Sequence, residues 1–269
     1  MKAVVHHTQD KMIILYIKRW LKASIITEEG EEIKREKGVP QGGIVSPLLM
    51  NLFLHYVFDK WVEKHYPFVE FARYADDAVV HCRSLHLAKR IRKDLEQRFK
   101  ECKLELHPKK TKIVYCFDDK RKGEYKERSF DFLGYTFRPR RAKRKTGEIV
   151  ICFSPAVSKS AIKSMRAKLR SINIRQWENT SLEEVSKQLN PILRGWQKYY
   201  CKFYASAIRP VYISANKQLV RWAKHKYKNL RTTSQGIEWL IKVSKANPKL
   251  FVHWESGMRQ VLLSGSRMN

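Results

Sequence analysis

Phe71-Ala72-Arg73-Tyr74-Ala75-Asp76-Asp77-Ala78-Val79-Val80-His81-Cys82 is the stretch on which the fold reading turns. Two short β-prone runs, Phe71–Tyr74 and Ala78–Cys82, flank an aspartate pair, the pattern of a hairpin with acids at its tip. Helical spacing lies on both sides. Upstream, Ser46-Pro47 opens a helix in which Ser46 is placed to cap and Pro47 suits the first turn, with Leu48, Leu52, His55 and Asp59 on successive turns. Downstream, Leu87, Ile91, Leu95 and Phe99 recur every fourth residue in a helix from about 85 to 102. A helix from Lys11 to Ala23 comes first in the chain, on Ile14, Ile17 and Leu21, followed by a charged hairpin or loop over residues 28–37.

Strand signals return at Lys103–Leu106, Lys112–Phe117, Ser129–Phe137 and Glu148–Phe153. After Pro155 the periodicity is purely helical, with Ile162, Met165, Leu169 and Ile172 marking one helix. Thr180 and Ser181 with Glu183 and Glu184 offer two overlapping capping boxes for the next. Pro191 either kinks that helix or restarts it with Asn190 as cap, and a third helix covers about 210–227. The expected class is therefore α+β, with an all-α end, and the boundary falls between Phe137 and Pro155. Between them, Arg138 to Lys145 carries six basic residues in eight and reads as a solvated turn beside a phosphate backbone.

Composition narrows the partners. Lys and Arg number 55 against 26 Asp and Glu, a formal +29 and a pI near 10.0, so the chain attracts polyanions. Between Val185 and Ile237 there is no acid, and Arg194–Arg231 holds ten Lys or Arg and eight aromatics. Phosphate contact and base stacking are both available there, with most of the aromatics expected in the core and about a third facing RNA. Five widely spaced cysteines, with no Cys-x-x-Cys pair, argue against a disulfide framework or zinc site and for a reducing, cytoplasmic setting. No stretch resembles a signal peptide or spanning helix, so no membrane role is expected.

Two motifs invite chemistry. Adjacent carboxylates at Asp76 and Asp77 in an apolar setting repel and lose hydration unless a cation offsets them, and Mg²⁺ is the hard, oxygen-seeking ion for one or two carboxylates plus phosphates. A satisfied turn is the plainer account of the same residues. Asp118-Asp119 is a second pair, but its charged surroundings make it a solvated loop with no role. In Gly38-Val39-Pro40-Gln41-Gly42-Gly43-Ile44-Val45-Ser46-Pro47 the glycines permit close backbone approach ahead of a helix N-terminus, and Gln41 offers both donor and acceptor to a nucleotide. A tight connection explains that motif equally well when it stands alone.

It does not stand alone. Gly38 to Leu49, Arg73 to Asp77, Leu104-x-Leu106-x-Pro108-x-Lys110-Thr111 and Phe130-x-Phe132-Leu133-Gly134-Tyr135 resemble, in order, successive blocks of group II intron reverse transcriptases. Asn190-Pro191-x-x-Arg194-Gly195-Trp196-x-x-Tyr199-Tyr200 resembles their maturase-specific segment, and the likeness runs to about Trp254. The resemblance implies RNA-directed DNA synthesis and intron maturation, with Mg²⁺ as cofactor and template-primer, intron RNA, DNA and deoxynucleoside triphosphates as partners. It implies a partial palm over residues 1–137, a basic strand-turn connector over 138–155 and a helical thumb and maturase domain over 156–269.

By the same resemblance Asp76 and Asp77 are the catalytic metal ligands. Gln41, Gly42 and Tyr74 line the nucleotide and template pocket, Lys110 lies near the triphosphate, and Gly134 forms the turn that grips the primer. Arg140, Arg141, Arg144, Arg194, Trp196, Lys198, Lys224, Lys226 and Lys228 are the candidate RNA contacts in the basic half. One departure matters: such polymerases use a third carboxylate on an upstream apolar strand, and the acids before Gly38 (Asp10, Glu28, Glu29, Glu31, Glu32, Glu36) lie in no such strand. Two-metal transfer without it implies little synthesis by these residues alone. The expectation is a fragment that needs a separate amino-terminal half, from another polypeptide or a misplaced start. An RNA-binding splicing cofactor or inert remnant is the alternative.

Overall fold

A computed structural model describes residues 1–34, 38–39, 42–117, 123 and 125–255. Gln41 and the Asp118-Asp119 pair lie outside the described residues. Contacts group the chain into two compact units, Met1–Ile113 and Val114–Asn269.

In the first unit, α1 (Lys2–His7) and α2 (Lys11–Lys22) precede a two-stranded antiparallel pair, β1 (Ile25–Ile26) and β2 (Glu32–Ile33). Asp10 caps α2 by accepting from the amides of Met12 and Ile13. Helix α3 (Ser46–Leu54) has Pro47 in its first turn as expected, but Val45 is the capping position and Ser46 is already helical, so its hydroxyl caps nothing. The expected continuation to Asp59 is a π-helical turn, His55–Asp59, before α4 (Lys60–His65). A π turn inserts one residue into the helical ladder and lies frequently at functional sites.

The hairpin forms between β3 (Phe71–Tyr74) and β4 (Asp77–Val80), and Ser84 caps α5 (Leu85–Glu101) through the Leu87 amide. The α5 spacing does what periodicity requires: Ile91 and Leu95 are buried against Phe58, Val62, Tyr66 and Val69. The strands expected at Lys103–Leu106 and Lys112–Phe117 do not form. Lys103 takes a left-handed φ of 58°, Leu104 bonds back to Phe99, and a turn at residues 108–110 breaks the extended run. Leu106 still packs on the core, as coil.

In the second unit, β5 (Phe130–Phe132), β6 (Tyr135–Lys143) and β7 (Ile149–Val157) form one antiparallel sheet. The basic run from Arg138 is thus strand as far as Lys143, because residue-by-residue pairing with β7 satisfies its backbone; only Arg144–Gly147 turns. Strand β7 also carries Pro155 and runs to Val157, so the first helix of the all-α part starts at Lys159 and not directly after Pro155. This sheet lies in the second compact unit, which begins at Val114, upstream of the expected boundary region between Phe137 and Pro155. Helices α6 (Lys159–Ile172), α7 (Leu182–Tyr200), α8 (Arg209–Lys226), α9 (Thr233–Ala246) and α10 (Val252–Glu255) follow.

Of the two possible boxes at α7, only Ser181 with Glu184 closes, since the Thr180 hydroxyl donates instead to the Trp177 carbonyl at 2.7 Å. Pro191 sits inside an uninterrupted α7, and Asn190 is no cap: its side chain donates to the Leu250 carbonyl and accepts from the Val252 amide. Around α8, Leu169, Leu193, Tyr212, Leu219, Trp222, Leu240 and Trp254 make a buried core. Trp222 is fully buried, and its indole N–H donates to the Trp177 carbonyl at 2.9 Å.

His253 is buried against Tyr212 and Trp254, with Nε2 2.7 Å from Asn216 Oδ1. That oxygen only accepts, so the hydrogen is on Nε2, and burial, which pulls the pKa down to about 3, keeps the ring neutral. The unfolded chain binds this proton near pH 6.5 and the folded chain does not. Stability contributed by neutral His253 is therefore complete above that value and is lost progressively as pH falls below about 6.5 towards 3. Chemical denaturation over pH 7 to 4 should show this decline, and His253→Gln should flatten it.

Candidate active site

The antiparallel register pairs Tyr74 with Asp77 and leaves Ala75 and Asp76 as the turn. Ala75 has φ 52°, a conformation that costs a side-chain-bearing residue energy and needs outside support. Tyr74 is 65% exposed, and Asp76 and Asp77 are also exposed. The tip is therefore hydrated, and the expectation that lost hydration demands a cation is corrected here. What favours a metal is the donor set, two adjacent carboxylates open to solvent, which suits Mg²⁺ completed by phosphates and water. Among the described residues no third acid, His or Cys joins them.

Support for the turn comes from Arg73, which sequence reasoning passed over. Its Nε and Nη2 donate to Asp59 Oδ1 and Oδ2, each at 2.6 Å, in a bidentate pair whose two side chains are largely buried. Its Nη1 donates to the Ala75 carbonyl at 2.9 Å and to Asn51 Oδ1 at 3.0 Å. His55 Nδ1 lies 3.2 Å from Asp59 Oδ2. Burial works against ionisation of Asp59, but the hydrogen bonds and charges of Arg73 and His55 outweigh it and hold the carboxyl below its ordinary pKa. The bond to Asp59 raises the Arg73 pKa in turn.

The other expected substrate residues are placed less tightly. Gly42 is exposed with φ 81°, a conformation that favours glycine, ahead of α3. Lys110 is exposed in the turn after His107. Among the described residues no hydrogen bond or ion pair joins either to Asp76 or Asp77.

In the second unit, the β5–β6 turn is Leu133-Gly134, at φ 49° and 78°. The Tyr199 hydroxyl donates to the Leu133 carbonyl at 2.9 Å, the Tyr135 hydroxyl donates to the Tyr199 carbonyl, and a Cβ on Gly134 would lie 2.7 Å from the Tyr200 hydroxyl oxygen. An open groove of about 450 Å³ adjoins this turn, lined by Gly134, Ser160, Ser164, Lys168, Trp196 and Tyr200. Ser160, Ser164 and Lys168 are spaced by four on one face of α6, a helix with no acid.

The basic candidates separate once folded. Arg141, Arg194, Lys198 and Lys228 are exposed. Arg144 is exposed too, paired with Glu148 at 2.7 Å. Arg140 is half-buried: it donates to the Ser154 and Thr136 carbonyls at 3.2 Å and lies 5.5 Å from the Tyr204 ring centre, and burial with the charge of Arg138 lowers its pKa. Lys226 donates to the Thr180 carbonyl and sits 5.4 Å from the Trp222 ring centre, while Lys224 reaches Thr233 Oγ1 at 3.4 Å. Trp196 is half-buried, and of the eight aromatics in Arg194–Arg231 three are exposed: Tyr199 (44%), Phe203 (64%) and Tyr204 (43%).

The family model described as Reverse transcriptase (RNA-dependent DNA polymerase) matches residues 2–137, half of the chain, so the chain belongs to the reverse transcriptases. The model described as Group II intron, maturase-specific domain matches residues 162–238, which makes it of the group II intron reverse transcriptase and maturase type, an α+β polymerase part followed by a helical maturase domain. It is also 25% identical over 213 residues to Protein YkfC of Escherichia coli (strain K12), covering 65% of this chain and 51% of that protein. The chain thus spans about half the length of this curated relative. Among the described residues no helix is long and apolar enough to cross a membrane.

Proposed function

We propose that residues 1–269 supply the carboxylate turn and the nucleic-acid-holding helical domain of an RNA-directed DNA polymerase that also binds its intron RNA. The observation that carries this reading is the Asp76-Asp77 pair on a pinned hairpin turn, inside the residues matched to reverse transcriptases. Asp76 and Asp77 would hold Mg²⁺, which when bound stabilises charge on phosphoryl oxygens. Tyr74 and Gly42, with Gln41, would border the incoming deoxynucleotide, and Lys110 would meet its triphosphate. Among the described residues no third acid joins Asp76 and Asp77, and a third carboxylate would be supplied by a longer chain or a separate polypeptide.

The groove beside Gly134 suits a sugar–phosphate backbone: two hydroxyls and one ammonium along α6 for phosphates, and Trp196 and Tyr200 for stacking. Tyr199, Phe203 and Tyr204 extend the aromatic surface, and Arg138, Arg141 and Lys198 add exposed charge. Photocrosslinking with a 4-thiouridine-substituted RNA, read by peptide mass spectrometry, should label residues 196–204 and the β6 strand. Labelling confined to the first unit would contradict this assignment.

A further inference from the structure

The carboxylate turn has an unusual support. Ala75 holds a left-handed φ of 52° without being glycine, and its carbonyl accepts a hydrogen bond from Arg73 Nη1, two residues earlier on the same hairpin, at 2.9 Å. The guanidinium is itself fixed, because its other two nitrogens, Nε and Nη2, donate to the two oxygens of Asp59 at 2.6 Å. Asp59 ends the π-helical turn His55–Asp59 and is steadied from its own helix by His55. Arg73 Nη1 also reaches Asn51 on α3, the helix that follows the glycine loop. One planar fork therefore ties together the strained turn residue next to Asp76, the helix behind the glycine loop, and a mostly buried carboxylate.

We propose that Arg73, anchored by Asp59 and bridged to Asn51, is the positioning residue of the catalytic turn: it fixes Ala75 and thereby the carboxylate oxygens that Asp76 presents to a divalent cation. This rests on the reading of Asp76 as a metal ligand. The geometry requires arginine. A lysine keeps the charge and can satisfy one acceptor well, but it cannot hold Asp59 bidentately and the Ala75 carbonyl at once. Partners one step behind a metal ligand commonly alter metal affinity about 10- to 100-fold when removed, through orientation and not through direct contact.

The test uses the full chain and two readouts. Terbium(III) stands in for Mg²⁺, its luminescence sensitised by the exposed Tyr74 phenol, and hydrogen–deuterium exchange follows the peptide spanning residues 71–80. Arg73→Lys is expected to weaken Asp76-dependent terbium binding about tenfold or more and to speed exchange of the turn, with helix content unchanged by circular dichroism. Asp59→Asn should do the same, and Asp59→Asn with Arg73→Lys should cost little more than either alone, because both break one unit. Arg73→Lys with wild-type terbium affinity, whether or not the turn exchanges faster, would overturn the proposal. Should Arg73→Lys fail to fold, Asn51→Ala decides: it leaves the buried pair intact and should weaken terbium binding and loosen the turn to a smaller degree, and wild-type behaviour would overturn the bridge. Asp76→Asn is the control for the underlying reading. Terbium luminescence undiminished by Asp76→Asn would refute the metal site, while the exchange comparison would still accept or reject the clamp.

Discussion

RNA binding by the full chain is expected to weaken by about a thousandfold to a hundred-thousandfold between about 50 and 200 mM salt. The formal charge of +29 and the acid-free stretch between Val185 and Ile237 provide for roughly six to ten phosphate contacts, and each releases counterions on binding. The folded chain also says which cations contribute. Lys198, Lys202, Lys228 and Arg141 are exposed, so replacing Lys198, Lys202 and Lys228 by Ala should flatten the salt slope by about one unit per lost contact and weaken all RNAs alike. Lys226 differs: its ammonium is spent on the Thr180 carbonyl and the Trp222 ring, so Lys226→Ala should lower the melting temperature more than it changes the slope. Filter-binding isotherms over a salt series decide both points, and a salt-independent affinity would be incompatible with the interface described.

Asp76→Asn is expected to reduce divalent-metal-dependent primer extension at least about a thousandfold, equivalent to about 4 kcal/mol of transition-state stabilisation, in an assembly that supplies the third carboxylate. RNA affinity should be nearly unchanged, because Asp76 is an exposed anion in the first unit and no phosphate contact is lost with it. The side chain is solvent-facing and makes no hydrogen bond within the fold among the described residues, so the variant should melt like the wild type. Extension retained by Asp76→Asn would remove this residue from the metal site.

Much of this architecture was legible because local chemistry and tertiary packing agree. The hairpin at Asp76, α5 with its buried Ile91 and Leu95, α6 with Met165 and Leu169, and the Ser181 box all follow from alternation, fourfold spacing or capping residues. Sequence reading failed where partners are remote or where two outcomes share one pattern. Lys103–Leu106 has a strand's alternation, yet Lys103 turns left-handed to close α5 and, among the described residues, no neighbouring strand takes up its backbone. The dense charge of Arg138–Lys145 marks a solvated turn or loop within a strand-turn connector, and pairing with β7 draws Arg138–Lys143 into strand and leaves the turn to residues 144–147.

At the candidate site the carboxylates could be found from their motif, but their support could not. Arg73 and Asp59 are 14 residues apart, and it takes the π turn at His55–Asp59 to bring them together. Tyr199 and Leu133 are 66 apart. Charge alone did not distinguish Lys228, free on the surface, from Lys226, held against the core two residues earlier. Nor did it distinguish Arg141 from Arg140, its half-buried neighbour on the same strand.

The central claim, that the Asp76-Asp77 turn and the basic helical domain serve one RNA-templated synthesis, is tested most directly by nucleotide addition. The measurement is incorporation of a labelled deoxynucleotide onto a primer annealed to an RNA template, with Mg²⁺, by residues 1–269 assembled with the segment that carries the third carboxylate. The account predicts template-directed incorporation that chelation abolishes. An assembly that binds template-primer tightly yet adds no nucleotide with any divalent metal would contradict it and leave RNA binding as the function of the chain.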